Sequence, residues 1–182
     1  MSNKFILLSV AFILVLVMPS CSSSDDNNIS SKLGEIKFSI SGGIEANKEG
    51  IADFDKLDIM NTSTWELGGH DISPQTFSLY FSLLSANQSI TRPQPGTYTV
   101  GFDVNNSDAF HAVYTHIEDG NFANSVEYTT WEKNSGTLTI DSSSEDKVTG
   151  SFNVTLYKYD DTLNIEDEIQ LNGTFSANKR MY

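Results

Sequence analysis

The chain has one cysteine, Cys21, in 182 residues, so no disulfide can form within it. If Cys21 is engaged elsewhere, no thiolate remains for a zinc site or for nucleophilic attack. Basic residues are also few: Lys and Arg total 11 against 24 Asp and Glu, a formal net charge of −13. A surface of that sign is a poor partner for nucleic acid or anionic lipid, since both are held through basic phosphate contacts. No serine sits in a Gly-x-Ser-x-Gly turn, so a serine triad is not expected. No acidic cluster matches the Asp-x-[Asp/Asn]-x-[Asp/Asn]-Gly calcium loop. Beyond residue 18 no run is apolar enough to span a membrane, and no stretch carries a sustained helical period.

What is present begins at the N-terminus. Lys4 precedes a run from Phe5 to Met18 that is apolar but for Ser9, and Pro19-Ser20-Cys21 follows. About 14 residues at about 1.5 Å each cover roughly 21 Å as a helix, short of the roughly 30 Å bilayer core. The run therefore reads as the apolar region of a secretory signal, with a small residue before a cysteine at its end. Met18-Pro19-Ser20-Cys21 resembles the lipobox of bacterial lipoproteins. That resemblance implies cleavage before Cys21, a thioether-linked diacylglyceryl group on it, and a further acyl chain such as palmitate on its amine. Two chains already anchor a protein stably, at about 0.8 kcal/mol per buried methylene. Ser22 stands where an inner-membrane retention signal places Asp, and Ser22-Ser23-Ser24-Asp25-Asp26 resembles the acidic export signal of Bacteroidota surface lipoproteins. The expected address is the outer membrane, anchored through Cys21 and displayed at the cell surface, with the periplasmic face as the alternative.

The expected organisation is a signal peptide over 1–20, a lipidated N-terminus with an acidic, flexible tether over 21–33, and one β-rich domain over 34–182. The twelve tether residues after Cys21, polar but for Ile29 and Leu33, reach roughly 19 Å as a random coil. The domain is long enough to bury roughly 68–70% of its unfolded surface.

Alternation of period two dominates that domain. Ile36, Phe38 and Ile40 alternate with Lys37 and Ser39, and Phe77, Leu79, Phe81 and Leu83 with Ser78, Tyr80 and Ser82. Tyr98, Val100 and Phe102 follow Pro95-Gly96. Val148, Phe152, Val154 and Leu156 share one face, as do Ile169, Leu171 and Phe175. Weaker strands are expected at Leu57–Asn61, Phe110–Ile117, Val126–Trp131 and Thr137–Ile140. One packed and one wet face is the signature of antiparallel sheets. The fold class is all-β: an antiparallel sandwich or flattened barrel of about eight to ten strands.

Three segments of the C-terminal third resemble the closing strands of a Bacteroidota lipoprotein family of unknown function: Ser135–Ile140, Lys147–Val154 and Leu171–Ser176. Pro95-Gly96-Thr97-Tyr98 is similar to the mid-domain turn of that family. The resemblance implies a β-rich surface or periplasmic lipoprotein and brings no activity with it. Asp161-Thr162-Leu163 resembles a Bacteroidota O-glycosylation acceptor.

Candidate chemistry is sparse. His111 and His116, five apart on one expected strand, point to opposite faces and do not make a metal pair. His70-Asp71 after Gly68-Gly69 reads as a loop tip. Asp53-Phe54-Asp55, Asp160-Asp161 and Glu166-Asp167-Glu168 read as solvated loop charge. Aromatics are more numerous than one core needs. Trp65, Tyr80, Tyr114, Tyr128, Trp131, Tyr157 and Tyr159 are candidates either for an exposed binding face that stacks on sugars or anchors a protein, or for a second packed layer. The expected function is non-enzymatic binding of a glycan or protein partner by a lipid-anchored domain without a cofactor. The alternatives are an accessory of an envelope complex, a lipocalin-like small-ligand carrier and, last, a hydrolase.

Overall fold

The computed structural model describes residues 33–59, 62–85, 92–101, 109–130 and 134–181. Cys21, the leader, Phe102 and Trp131 lie outside the described residues. Ten strands follow in order: β1 (Glu35–Gly42), β2 (Ala46–Ile59), β3 (Thr62–His70), β4 (Phe77–Ser85), β5 (Gly96–Val100), β6 (Phe110–His116), β7 (Val126–Thr129), β8 (Gly136–Ser143), β9 (Lys147–Tyr159) and β10 (Ile165–Lys179). They form one sheet that closes on itself, so of the two expected architectures the barrel is the one adopted.

Closure is made at two seams. From β10 the ring runs through β1, β2, β3 and β4 to β6, each pair antiparallel. Between β6 and β9, β5 and β8 fill one level and β7 the other. The second seam lies past the start of β1, where β10 meets β2 in parallel at Asn178↔Asp53 and Lys179↔Phe54. Closure leaves few free strand edges, which removes the usual route to edge-to-edge association.

The alternating positions face inward as their period requires. Ile36, Phe38, Ile40, Phe77, Leu79, Phe81, Leu138, Ile140, Phe152, Val154, Ile169 and Leu171 are all buried. Rings meet across the interior: Phe38 stands edge-on to Phe77 at 5.2 Å and to Tyr114 at 6.1 Å, and Phe81 lies 5.1 Å from Phe152. Toward the other end Trp65 stacks on Phe54 at 5.8 Å and meets Phe110 at 6.0 Å. Such pairs contribute about 0.5–1.5 kcal/mol each beyond their burial. The buried side chains of the described strands form one cluster inside the ring.

Two strands differ from the sequence expectation. β2 extends from Ala46, well before Leu57, and β3 covers residues not expected as a strand, ending in the Gly68-Gly69-His70 that read as a loop tip. The inward positions of β2 include Gly50 and Ala52 where aliphatics would mark a strand, so its alternation is faint. In β3 the Gly68-Gly69 pair serves close approach. A Cβ on Gly69 would lie 2.7 Å from Ile36 Cδ1, and one on Gly68 would lie 2.9 Å from the Tyr80 ring. His70 is therefore a strand residue, opposite Ile51 and Ser78, and not a loop tip.

Candidate functional site

Strand direction gives the barrel two unlike ends. β1, β3, β6 and β9 finish, and β2, β4, β7 and β10 start, at one end, here the mouth. Four loops ring it: 43–45, 71–76, 117–125 and 160–164. Each joins strands that are neighbours in the wall. The opposite end, the base, receives the chain at Leu33-Gly34 and releases it at Arg180.

A polar network lies beneath the mouth loops. Asp71 Oδ1 accepts the amide N–H groups of Thr76 at 2.7 Å and Phe77 at 3.1 Å, and its Oδ2 accepts the Thr76 hydroxyl at 2.5 Å. Lys48 Nζ donates to Thr76 Oγ1 at 2.9 Å and lies 5.9 Å from the Phe77 ring centroid. Burial alone would raise the Asp71 carboxyl, but the hydrogen bonds from Thr76 and Phe77 outweigh it and hold the group below its ordinary range. Tyr128 donates to Asp167 Oδ2 at 2.9 Å, and burial together with that carboxylate pushes its phenol up to about 12. Tyr114, fully buried, is raised further, first by burial and then by the charge of Asp71. His116 Nδ1 stands 3.5 Å from the Tyr114 hydroxyl. Burial, followed by the Lys48 charge, keeps this imidazole below its usual value, against the opposing pull of Glu118.

The loops are held as firmly. The N–H of Ile117 donates to Thr76 O at 2.9 Å, and Gly120, at φ +71, lies so close to Pro74 that a Cβ would come within 2.9 Å. Residues 118–120 and 122–124 form two short 3₁₀ turns, the second capped by the Asn121 side chain on the Ala123 amide. In the β9–β10 turn Asp160 accepts from the amides of Thr162 and Asn164, with Leu163 at φ +64. Hydrogen bonds from Asn164 and Thr162 draw the Asp160 carboxyl down to about 2. Over this frame stand exposed apolar side chains: Ile72 (66%), Phe122 (62%), Leu163 (65%) and Ile165 (50%). The other large apolar residues so exposed among the described ones, Leu33 and Met181, belong to the base.

The sequence candidates fall differently. Trp65 (1% exposed), Tyr114 and Tyr128 are buried, so the structure places them in the core and not on a sugar-stacking face. Tyr80, Tyr157 and Tyr159 are half-buried on the outer wall, with the last two rings 6.3 Å apart. His111 and His116 do diverge: His111 Nε2 lies 3.0 Å from Thr129 Oγ1 on the outer wall, and His116 sits at the mouth. Asp53 and Asp55 are in β2, not in a loop. Arg180 Nη2 reaches Asp53 Oδ1 at 2.7 Å and Glu66 Oε1 at 3.1 Å, clasping the C-terminal segment over the parallel seam. Glu166, Asp167 and Glu168 begin β10. Asp160 and Asp161 are in a turn, as expected, and the Thr162 hydroxyl donates to Asp160 at 2.8 Å. Among the described residues no group of three His, Cys, Asp or Glu side chains is disposed to hold a metal ion.

The Asp71 network and the apolar mouth were not visible in the sequence. Asp71 works through amides five and six residues on, and the four apolar side chains fall at one end of the barrel only when strand directions are known. In the comparisons with protein-family models, curated proteins and solved structures, nothing matched the chain.

Proposed function

We propose that this chain is a lipid-anchored, non-enzymatic binding domain of the outer membrane, displayed at the cell surface, and that its mouth receives a glycan or protein partner. The observation that carries the reading is the separation of the two ends. The tether joins at the base, beside Leu33, while Ile72, Phe122, Leu163 and Ile165 ring the opposite mouth. An acylated Cys21 on a tether of about 19 Å would hold the base toward the headgroups and leave the mouth outward. Rigid loops on a closed barrel suit recognition, because little ordering entropy is left to lose on binding. The resemblance of the closing strands to a Bacteroidota lipoprotein family, surface or periplasmic, supports the lipid anchor without choosing the face.

Protease shaving of intact cells, with a periplasmic protein as the lysis control, tests the display. Loss of the domain while the control survives is expected. Full protection would put the domain on the periplasmic side and turn the reading toward an accessory of envelope assembly.

A further inference from the structure

We infer that the mouth docks a basic polypeptide bearing apolar side chains, an inference that rests on the binding role proposed above and names its partner class. Three features of the mouth point the same way. The exposed tips Ile72, Leu163 and Ile165 are aliphatic, and Phe122 is the one aromatic among them. Sugar rings are taken up chiefly on aromatic faces, whereas mixed aliphatic and aromatic tips fit the apolar centre of a protein interface. The buried Trp65 is not available for sugar stacking.

The second feature is charge. The four mouth loops carry Glu45, Asp71, Glu118, Asp119, Asp160 and Asp161 and no Lys or Arg. The two lysines nearest the rim leave most of this charge standing. Lys48, on the Thr76 hydroxyl that Asp71 also holds, balances that one carboxylate, and Lys158 is paired with Glu166 at 2.7 Å. Exposed apolar side chains among acidic loops are complementary to cationic segments and repel anionic surfaces such as nucleic acid or acidic lipid.

The third is rigidity. Asp71, Asp160 and Asn121 fasten three of the loops by hydrogen bonds to their own backbones. The apolar tips are thus presented in a fixed arrangement, which reduces the cost of docking a partner.

The test uses the full lipidated chain in phosphatidylcholine nanodiscs, with empty nanodiscs as reference. The probe is a labelled peptide of about a dozen alternating Lys and Leu residues, compared with one carrying Glu for Lys and one carrying Ser for Leu. The Lys/Leu peptide should bind about tenfold or more tightly than either analogue, a difference typical of losing an interface hot spot. The double variant Phe122→Ser/Leu163→Ser should lose about tenfold in affinity at unchanged net charge. The base variant Leu33→Ser/Met181→Ser, which removes apolar side chains from the other end, should bind like the parent. Amide exchange should show protection over 71–76, 117–125 and 160–164. Equal binding by parent and mouth variant, or protection on the wall or base, overturns the inference. Photo-crosslinking from residue 122 in intact cells separates this failure from that of the binding role. Crosslinks to glycan without peptide binding overturn the polypeptide partner and leave the binding role standing. The absence of any crosslink from residue 122 overturns both the polypeptide partner and the binding role given to the mouth.

Discussion

Replacing Asp71 tests whether the mouth is held by its hydrogen-bond network. In Asp71→Ala the amides of Thr76 and Phe77 and the Thr76 hydroxyl lose a charged acceptor. Phe77 is fully buried, so water reaches its amide poorly, and an orphaned buried donor costs about 1–3 kcal/mol. Thr76 is half-buried and recovers part of its loss by hydration. A total of about 2–4 kcal/mol follows, which for a domain of this size lowers the Tm by roughly 4–16 °C. Asp71→Asn keeps one carbonyl for the two amides and should lose about 1 kcal/mol. Urea unfolding followed by circular dichroism gives both values. The pH dependence adds a second test. The folded-state pKa of Asp71 lies below its ordinary 3.8, so its contribution is complete above about pH 4–5 and fades as the pH falls through the lowered value. The stability gap between parent and Asp71→Ala should therefore narrow from pH 5 toward pH 2 (both about). A gap under about 0.5 kcal/mol at neutral pH, or one that widens on acidification, would refute the role given to this carboxylate.

Other perturbations reach the rest of the frame. Arg180→Ala unfastens the C-terminal segment from Asp53 and Glu66 and should cost about 1–2 kcal/mol in urea unfolding, an effect that falls as salt is added. Arg180→Lys should restore little, since Nε and Nη2 together address Asp53. Gly173→Ala puts a Cβ 2.4 Å from both Lys37 O and Phe38 Cβ, and should lower stability by at least about 1–3 kcal/mol. Tyr128 is a group whose pKa is raised on folding. Its contribution should persist below about pH 10 and be lost as the pH rises through about 12, and an ultraviolet titration of parent against Tyr128→Phe would show the difference.

The sequence made the barrel wall legible where inward positions are large and aliphatic. β4, β9 and β10 alternate so regularly that their inner faces read directly from the chain, and Ile36, Phe38 and Ile40 do the same for β1. β2 and β3 escaped because glycine and alanine stand at inward positions, where the neighbours Ile36 and Phe77 fill the space. Absent side chains carry no periodic signal, and Gly68-Gly69 mimicked a turn. Closure itself could not be read, since it depends on β10 meeting both β1 and β2 across more than a hundred residues of sequence. Of the two roles expected for the surplus aromatics, packing is the one that three of them take. Trp65, Tyr114 and Tyr128 alternate into a barrel interior wide enough to need them. The mouth is a property of topology, assembled from loops remote in sequence.

Thiol labelling tests the central claim, an anchor at the base and an outward mouth, most directly. Cys21 is the lone cysteine, so a Phe122→Cys variant carries at most one further thiol. A membrane-impermeant maleimide applied to intact cells should label residue 122 at the mouth. On the proposed anchor the Cys21 sulfur is a thioether, so the denatured parent chain should take up no label at all. Label on Cys21 of the parent, or a residue 122 that reacts only after lysis, would contradict the account.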